Sequence, residues 1–196
     1  FSMILYGPCG TGKTTLAYTI INELDLKYEF LNAVINSKKD LDEVISKAKA
    51  NGGIVLIMDE IHRLNKDKQD LLLPYLENGL ITLIGLTTAN PYHSINPAIR
   101  SRCQLFEVKL LSDDDIKEAL NKAVRYLDKI DISNEAISYI ARLSGGDLRY
   151  AYNLLEVAYY ASDNFKIDLE DVKKINNKPS LYIDKNDDGY YDVISA

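Results

Sequence analysis

The chain has 196 residues, 46% of them hydrophobic and 27% charged, the balance of a water-soluble globular protein with one large domain or two small ones. No apolar run approaches the ~18–20 residues of a membrane span, which excludes a protein embedded in a bilayer through helices. The net charge of −6 excludes a generic nucleic-acid coat; residues 1–110 carry equal numbers of basic and acidic side chains and residues 111–196 carry all of the excess, so a polyanion meets the first half more easily.

In chain order, residues 3–6 (MILY) form an apolar run ending at Gly-Pro, the mark of a buried strand. Residues 13–24 place Leu16, Ile20 and Leu24, with Ala17 and Ile21, at helical spacing. Residues 29–33 read as a second strand, and residues 40–50 as a helix with Leu41, Val44, Ile45 and Ala48 on one face. Residues 52–60 (GGIVLIMDE) give a strand of five apolar residues ending in two acids. Residues 67–79 read as a helix weakened at Pro74 and stopped by Gly79. Strands four and five are expected at 81–88 and 104–108. Strands alternating with helices predict an α/β core over 1–110, with a mostly parallel five-stranded sheet covered on both faces.

The pattern changes after residue 110. Ser112 with acids behind it starts a helix over 112–127, Ser133 caps one over 133–143 that stops at Gly145-Gly146, and further helices fall at 147–161 and 168–175. Residues 111–175 therefore read as a small all-helical module, and the aperiodic, polar stretch 176–196 as a linker.

Residues 7–14 read GPCGTGKT, matching G-x-x-x-x-G-K-[ST] between a strand and a helix. The chemistry asks for these residue types. Gly7, Gly10 and Gly12, with Pro8, Cys9 and Thr11 between them, let backbone N–H groups turn inward around phosphates. The helix that opens at Lys13, Thr14 and Thr15 adds its positive dipole end. Lys13 brings a full charge to the β- and γ-phosphate oxygens, and the Thr14 hydroxyl suits Mg²⁺. ATP with Mg²⁺ is the expected ligand. The apolar run 54–58 then delivers Asp59 and Glu60 to one sheet edge: Asp59 to hold Mg²⁺ through water, Glu60 to polarise an attacking water. After strand four, Thr88 or Asn90 could orient that water, although Asn90-Pro91 is equally a turn signal.

GPCGTGKT, IVLIMDEIHR, TTANP, SRC and GGDLR, in that order and at this spacing, resemble an AAA+ ATPase. The stretch ENGLITLIGLTTANP and the segment GGDLRYAYNLLE are most similar to the replication-associated recombination protein A family, relatives of Werner-helicase-interacting protein. The resemblance covers nearly the whole chain. It implies that Arg102 is an arginine finger reaching a neighbour's ATP, that Arg149 contacts the γ-phosphate from a lid over 111–175, and that Thr88 or Asn90 is sensor 1. It implies DNA-stimulated ATP hydrolysis at stalled replication forks by a homo-oligomer working with single-stranded-DNA-binding protein. It also implies a segment before residue 1 that contacts adenine and an oligomerisation domain after residue 196. The lack of an initiator Met agrees with a piece of a longer protein. Cys9 departs from the family, where Pro is usual.

Cys9 and Cys103 are too far apart for a metal or redox pair and read as intracellular thiols; with no signal peptide, the expected compartment is the bacterial cytoplasm, away from membranes. Residues 184–192 imitate a calcium loop but put Ser195 where the bidentate Glu is required. Competing readings are a branch-migration motor of the RuvB type, which shares DEIHRL, a clamp-loader subunit, and a non-hydrolysing AAA+ scaffold, against which Glu60 speaks.

Overall fold

The computed structural model describes residues 1–127, 130–162 and 165–177. Strand β1 (Met3–Tyr6) is apolar and leads through a glycine loop into α1 (Lys13–Glu23). Strand β2 (Tyr28–Asn32) precedes α2 (Lys38–Asn51), which starts with a reciprocal cap between Ser37 and Asp40 and ends at left-handed Gly52. The hydrogen bonds from Ser37 hold the Asp40 carboxyl below its ordinary range. Strand β3 (Ile54–Asp59) is followed by α3 (Lys66–Glu77), strand β4 (Ile81–Thr87), the short helices α4 (Pro91–Ser94) and α5 (Pro97–Arg100), and strand β5 (Gln104–Glu107).

These strands form one sheet in the order β2-β3-β4-β1-β5. Every neighbouring pair is parallel, so the sheet is wholly rather than mostly parallel. Parallel crossovers put helices on both faces and bury the central strands twice. Along β3, Ile54, Leu56 and Met58 join the core beneath α2 and α3, while Val55 and Ile57 face Ala17 and Ile21 of α1. On α1 the buried stripe is Ala17 and Ile21; Leu16 and Leu24 are exposed, so the wider stripe read from the sequence does not pack. Small Ala17 lets the helix approach the sheet closely, and the row one residue round is left in water.

Pro74 does not interrupt α3. Losing a backbone bond there costs about 3 kcal/mol. Leu72 and Leu76 on either side of it are buried, and at about 1.5–3 kcal/mol each they offset the loss. Asn78 rather than Gly79 caps the helix, its N–H donating to the Pro74 carbonyl at 3.1 Å.

The chain divides between Leu110 and Leu111 into two compact units. The second holds α6 (Asp113–Val124), α7 (Asn134–Ser144), α8 (Leu148–Ala161) and α9 (Leu169–Asn177) around Ile116, Leu120, Ile137, Ile140 and Leu155. It is not entirely helical. Strands β6 (Asp131–Ile132) and β7 (Lys166–Ile167) pair in parallel, with the Asp131 N–H donating to the Phe165 carbonyl at 2.7 Å. Two-residue strands carry no periodicity, so nothing in the sequence marks them. α9 reaches two residues past the expected end of this module; the rest of the supposed linker and the calcium-loop imitation lie outside the described residues.

Candidate nucleotide site

The loop after β1 is gripped at its start from both sides. The Gly7 N–H donates to the Thr87 carbonyl at the end of β4 (3.2 Å), and the Val108 N–H after β5 donates to the Tyr6 carbonyl (2.7 Å). Gly7 has φ +146°, and a Cβ there would lie 2.0 Å from the Val108 carbonyl oxygen, so only glycine fits. Gly10 and Gly12 also have positive φ. Inside the loop, Thr11 Oγ1 donates to the Pro8 carbonyl (2.9 Å), and Lys13 Nζ donates to the carbonyls of Gly7 (2.9 Å) and Pro8 (2.6 Å). Thr11 and Lys13 are both buried; Thr14 is half-buried; Pro8, Cys9 and Thr15 are exposed. No side chain caps α1 at Gly12, which leaves first-turn N–H groups as donors to an anion.

Asp59 ends β3 in register with Asn32 of β2. Its Oδ1 accepts the Glu60 N–H (3.0 Å), and its Oδ2 accepts from Asn32 Nδ2 (3.4 Å). The Tyr18 phenol of α1 is raised above its ordinary pKa by burial first, then by Tyr28 and by the charge of Asp59. Glu60 leaves the strand in the left-handed region, φ +51°, and starts a single 3-10 turn, Ile61–Arg63. Few non-glycine residues sit there, and those that do cluster at functional sites. Its carboxylate lies 3.4 Å from His62 Nδ1, and that nitrogen lies 2.9 Å from Thr87 Oγ1.

Thr88 and Asn90, the two candidates after β4, part company. Thr88 is exposed. Asn90 caps α4, its Oδ1 accepting the Tyr92 N–H at 2.9 Å. The buried hydroxyl at the end of β4 belongs to Thr87, which also accepts the Ala89 N–H (3.0 Å). Arg100 is held by the Tyr92 carbonyl (2.7 Å) and lies over the Tyr92 ring. Arg102 is ion-paired with Glu77 and donates to the Ala98 carbonyl (2.6 Å). Arg149 is exposed in the first turn of α8, in the second unit.

The donor set fits ATP with Mg²⁺. The Thr14 hydroxyl and the Asp59 carboxylate offer oxygen alone, and among the described residues no cluster of three or more His, Cys, Asp and Glu forms a cage. Two oxygen ligands suit a hard ion that keeps most of its waters. Thr87, His62, Asn32 and Glu77 are the members of this region to which the sequence reading assigned no role. His62 lies inside DEIHR, Thr87 opens TTANP and Glu77 opens ENGLITLIGLTTANP, whereas Asn32 lies in none of the quoted stretches.

Residues 3–111 match the family model described as ATPase family associated with various cellular activities (AAA), and residues 126–196 match the AAA C-terminal domain. The whole chain aligns at 48% identity with Replication-associated recombination protein A of Bacillus subtilis (strain 168), covering 49% of that protein. It aligns at 37% identity with the protein of the same name in Escherichia coli (strain K12), covering 47% of it. The chain thus spans about half the length of these curated relatives. Among solved structures it resembles the Thermotoga maritima RuvB Holliday junction branch migration motor, with a TM-score of 0.75 and 28% identity over 88% of this chain and 60% of that one. Among the described residues, no helix is long and apolar enough to cross a membrane.

Proposed function

The chain belongs to the AAA family of ATPases, and from that premise we propose that it is the ATP-hydrolysing part of a protein acting on DNA at stalled replication forks. One observation carries the ATPase reading. The loop after β1, the acids ending β3 and Thr87 ending β4 all leave the same edge of a parallel sheet, where such sheets bind ligands.

In this reading the loop amides and Lys13 bind the β- and γ-phosphates. Thr14 and Asp59 hold Mg²⁺, which supplies neutralisation of phosphate charge. Glu60 takes the proton of the attacking water, and positioning with electrostatics does the rest. Arg102 serves a neighbouring subunit's nucleotide, Arg149 meets the γ-phosphate from the helical unit acting as a lid, and Thr88 or Asn90 is sensor 1. The partners are forked or junction DNA, single-stranded-DNA-binding protein and further copies of the same chain, in the bacterial cytoplasm. Similarity to replication-associated recombination proteins supports the fork.

ATP turnover by the full-length protein tests this, without DNA and with forked or four-way-junction DNA. Stimulation by forks is expected. Stimulation by four-way junctions alone favours a branch-migration motor, and nucleotide binding without turnover favours a scaffold.

A further inference from the structure

Glu60 is the one acid of the site whose backbone is turned away from the strand that delivers it. β3 ends at Asp59, and Glu60 adopts φ +51° and ψ +38°. A carboxylate on such a turn is aimed only if something holds its far end. The Glu60 carboxylate lies 3.4 Å from His62 Nδ1. The same nitrogen stands 2.9 Å from Thr87 Oγ1. Thr87 itself is fixed: it is buried, its hydroxyl accepts the Ala89 N–H at 3.0 Å, and its carbonyl accepts the Gly7 N–H at 3.2 Å. With its proton on Nδ1, the His62 ring can share that one N–H between Thr87 Oγ1 and the Glu60 carboxylate, both of which accept, and so stands between them. The line of contacts starts at the phosphate loop, passes through the end of β4 and finishes on the Glu60 carboxylate.

The ring is kept in place from below. Ile61 is buried, and its side chain fills the space over Gly85 of β4, where a Cβ would lie 2.9 Å from Ile61 Cδ1. The 3-10 turn carrying His62 is thereby seated on the strand that carries Thr87. The imidazole needs no metal for this task, and among the described residues it belongs to no cluster of three or more His, Cys, Asp and Glu.

We propose that His62 is the positioning residue for Glu60, holding its carboxylate in register with Thr87 and hence with the phosphate loop. The inference rests on the ATPase reading of the same site. It assigns His62 no contact with nucleotide, so its loss acts on the chemical step and leaves binding alone.

The test compares His62→Ala, His62→Asn and Thr87→Val in the full-length protein, reading kcat and KM for ATP separately and the unfolding midpoint alongside. Misplacing a base by about an ångström costs up to about a hundredfold. His62→Ala is expected to lower kcat by about ten- to hundredfold, with KM within about twofold of wild type. His62→Asn puts an amide where Nδ1 stood and is expected to recover most of the loss. Thr87→Val keeps the shape of the side chain without its hydroxyl and is expected to repeat the kcat defect. Combining it with His62→Ala should add little, because the two act on one contact. Wild-type turnover in His62→Ala overturns the inference and leaves the ATPase reading standing. So does a defect that Asn fails to rescue and that tracks a fall in the unfolding midpoint. A wild-type protein with no turnover under any DNA condition overturns the ATPase reading, and this inference with it.

Discussion

Arg102 and Glu77 face each other across the gap between α5 and the end of α3, the guanidinium donating to the carboxylate and also to the Ala98 carbonyl. Both side chains are partly in water, at 34% and 54% exposure, so the pair contributes no more than about 1 kcal/mol to stability. Its effect is on where the guanidinium points. Glu77→Gln is expected to leave the denaturant midpoint nearly unchanged while freeing the arginine. Arg102→Ala in the full-length protein should lower ATP turnover by roughly 10³–10⁵ if the side chain acts as a finger in a neighbour's site. Unchanged turnover in Arg102→Ala removes that role.

Lys13 and Glu60 separate binding from chemistry. Lys13→Ala deletes the only full positive charge in the phosphate loop, and titration with a fluorescent ATP analogue should show binding lost. Glu60→Gln keeps shape and hydrogen bonding but cannot take a proton. Its ATP affinity should match wild type while turnover falls by about 10²–10⁴. Equal affinity in Lys13→Ala, or brisk turnover in Glu60→Gln, contradicts the assignments.

Two glycines of the loop should differ in a predictable order. At Gly7 a methyl group would meet the Val108 carbonyl oxygen at 2.0 Å, and that oxygen is backbone with nowhere to go. At Gly12 the space is open and only φ +84° is unfavourable. Gly12→Ala should cost about 1–2 kcal/mol. Gly7→Ala should cost about 3 kcal/mol or more, since a clash adds to the strain. Urea unfolding gives the order directly, and a reversed order would mean that the Gly7–Val108 approach is looser than described.

The two thiols make a pH and ligand assay. Burial pushes the Cys103 thiol up to about 11, from an ordinary value of 9.0. It therefore stays protonated and poorly nucleophilic at pH 8. Cys9 is exposed on the phosphate loop. A maleimide at pH 8 should label Cys9 first, and ATP with Mg²⁺ should slow that labelling without affecting Cys103. Above about pH 9 the unfolded chain releases the Cys103 proton before the folded one does, so stability falls as pH rises through that range. Faster labelling at Cys103 than at Cys9 would contradict its burial.

The strands were legible because Ile54 to Met58 is apolar without alternation and Ile81 to Leu86 is broken only by Thr82, as strands covered on both faces should be. The capped helices were legible where Ser112 and Ser133 begin an apolar period. Helices α4 and α5 were not, since four residues are too few for a period. Their trace was the repeated Asn-Pro at 90–91 and 96–97, an Asn cap followed by Pro in the first helical position. In the site, the loop and the acids were readable because local sequence dictates them. The contacts of Thr87 with His62 and of Arg102 with Glu77 each join residues 25 positions apart. Such pairs exist only once the strands have been ordered, and no local pattern encodes them.

The position of β1 between β4 and β5 also sets a timetable. Met3 pairs with Ile84 on one side and Gln104 on the other. At a synthesis rate of ~5–20 residues per second, the first partner follows by roughly 4–16 s and the second by roughly 1–4 s more. Parallel pairing over such distances is slow to form even when both partners are present. Throughout that interval the apolar segment Met-Ile-Leu-Tyr has no sheet to enter and is the stretch a chaperone would find. Tyr6 and Gly7 receive their holding bonds only from Val108 and Thr87. The phosphate loop is thus written near the start of this sequence and becomes competent near the end of the core's assembly, so a nascent chain stopped before residue 108 should lack nucleotide affinity although it already contains every residue of GPCGTGKT.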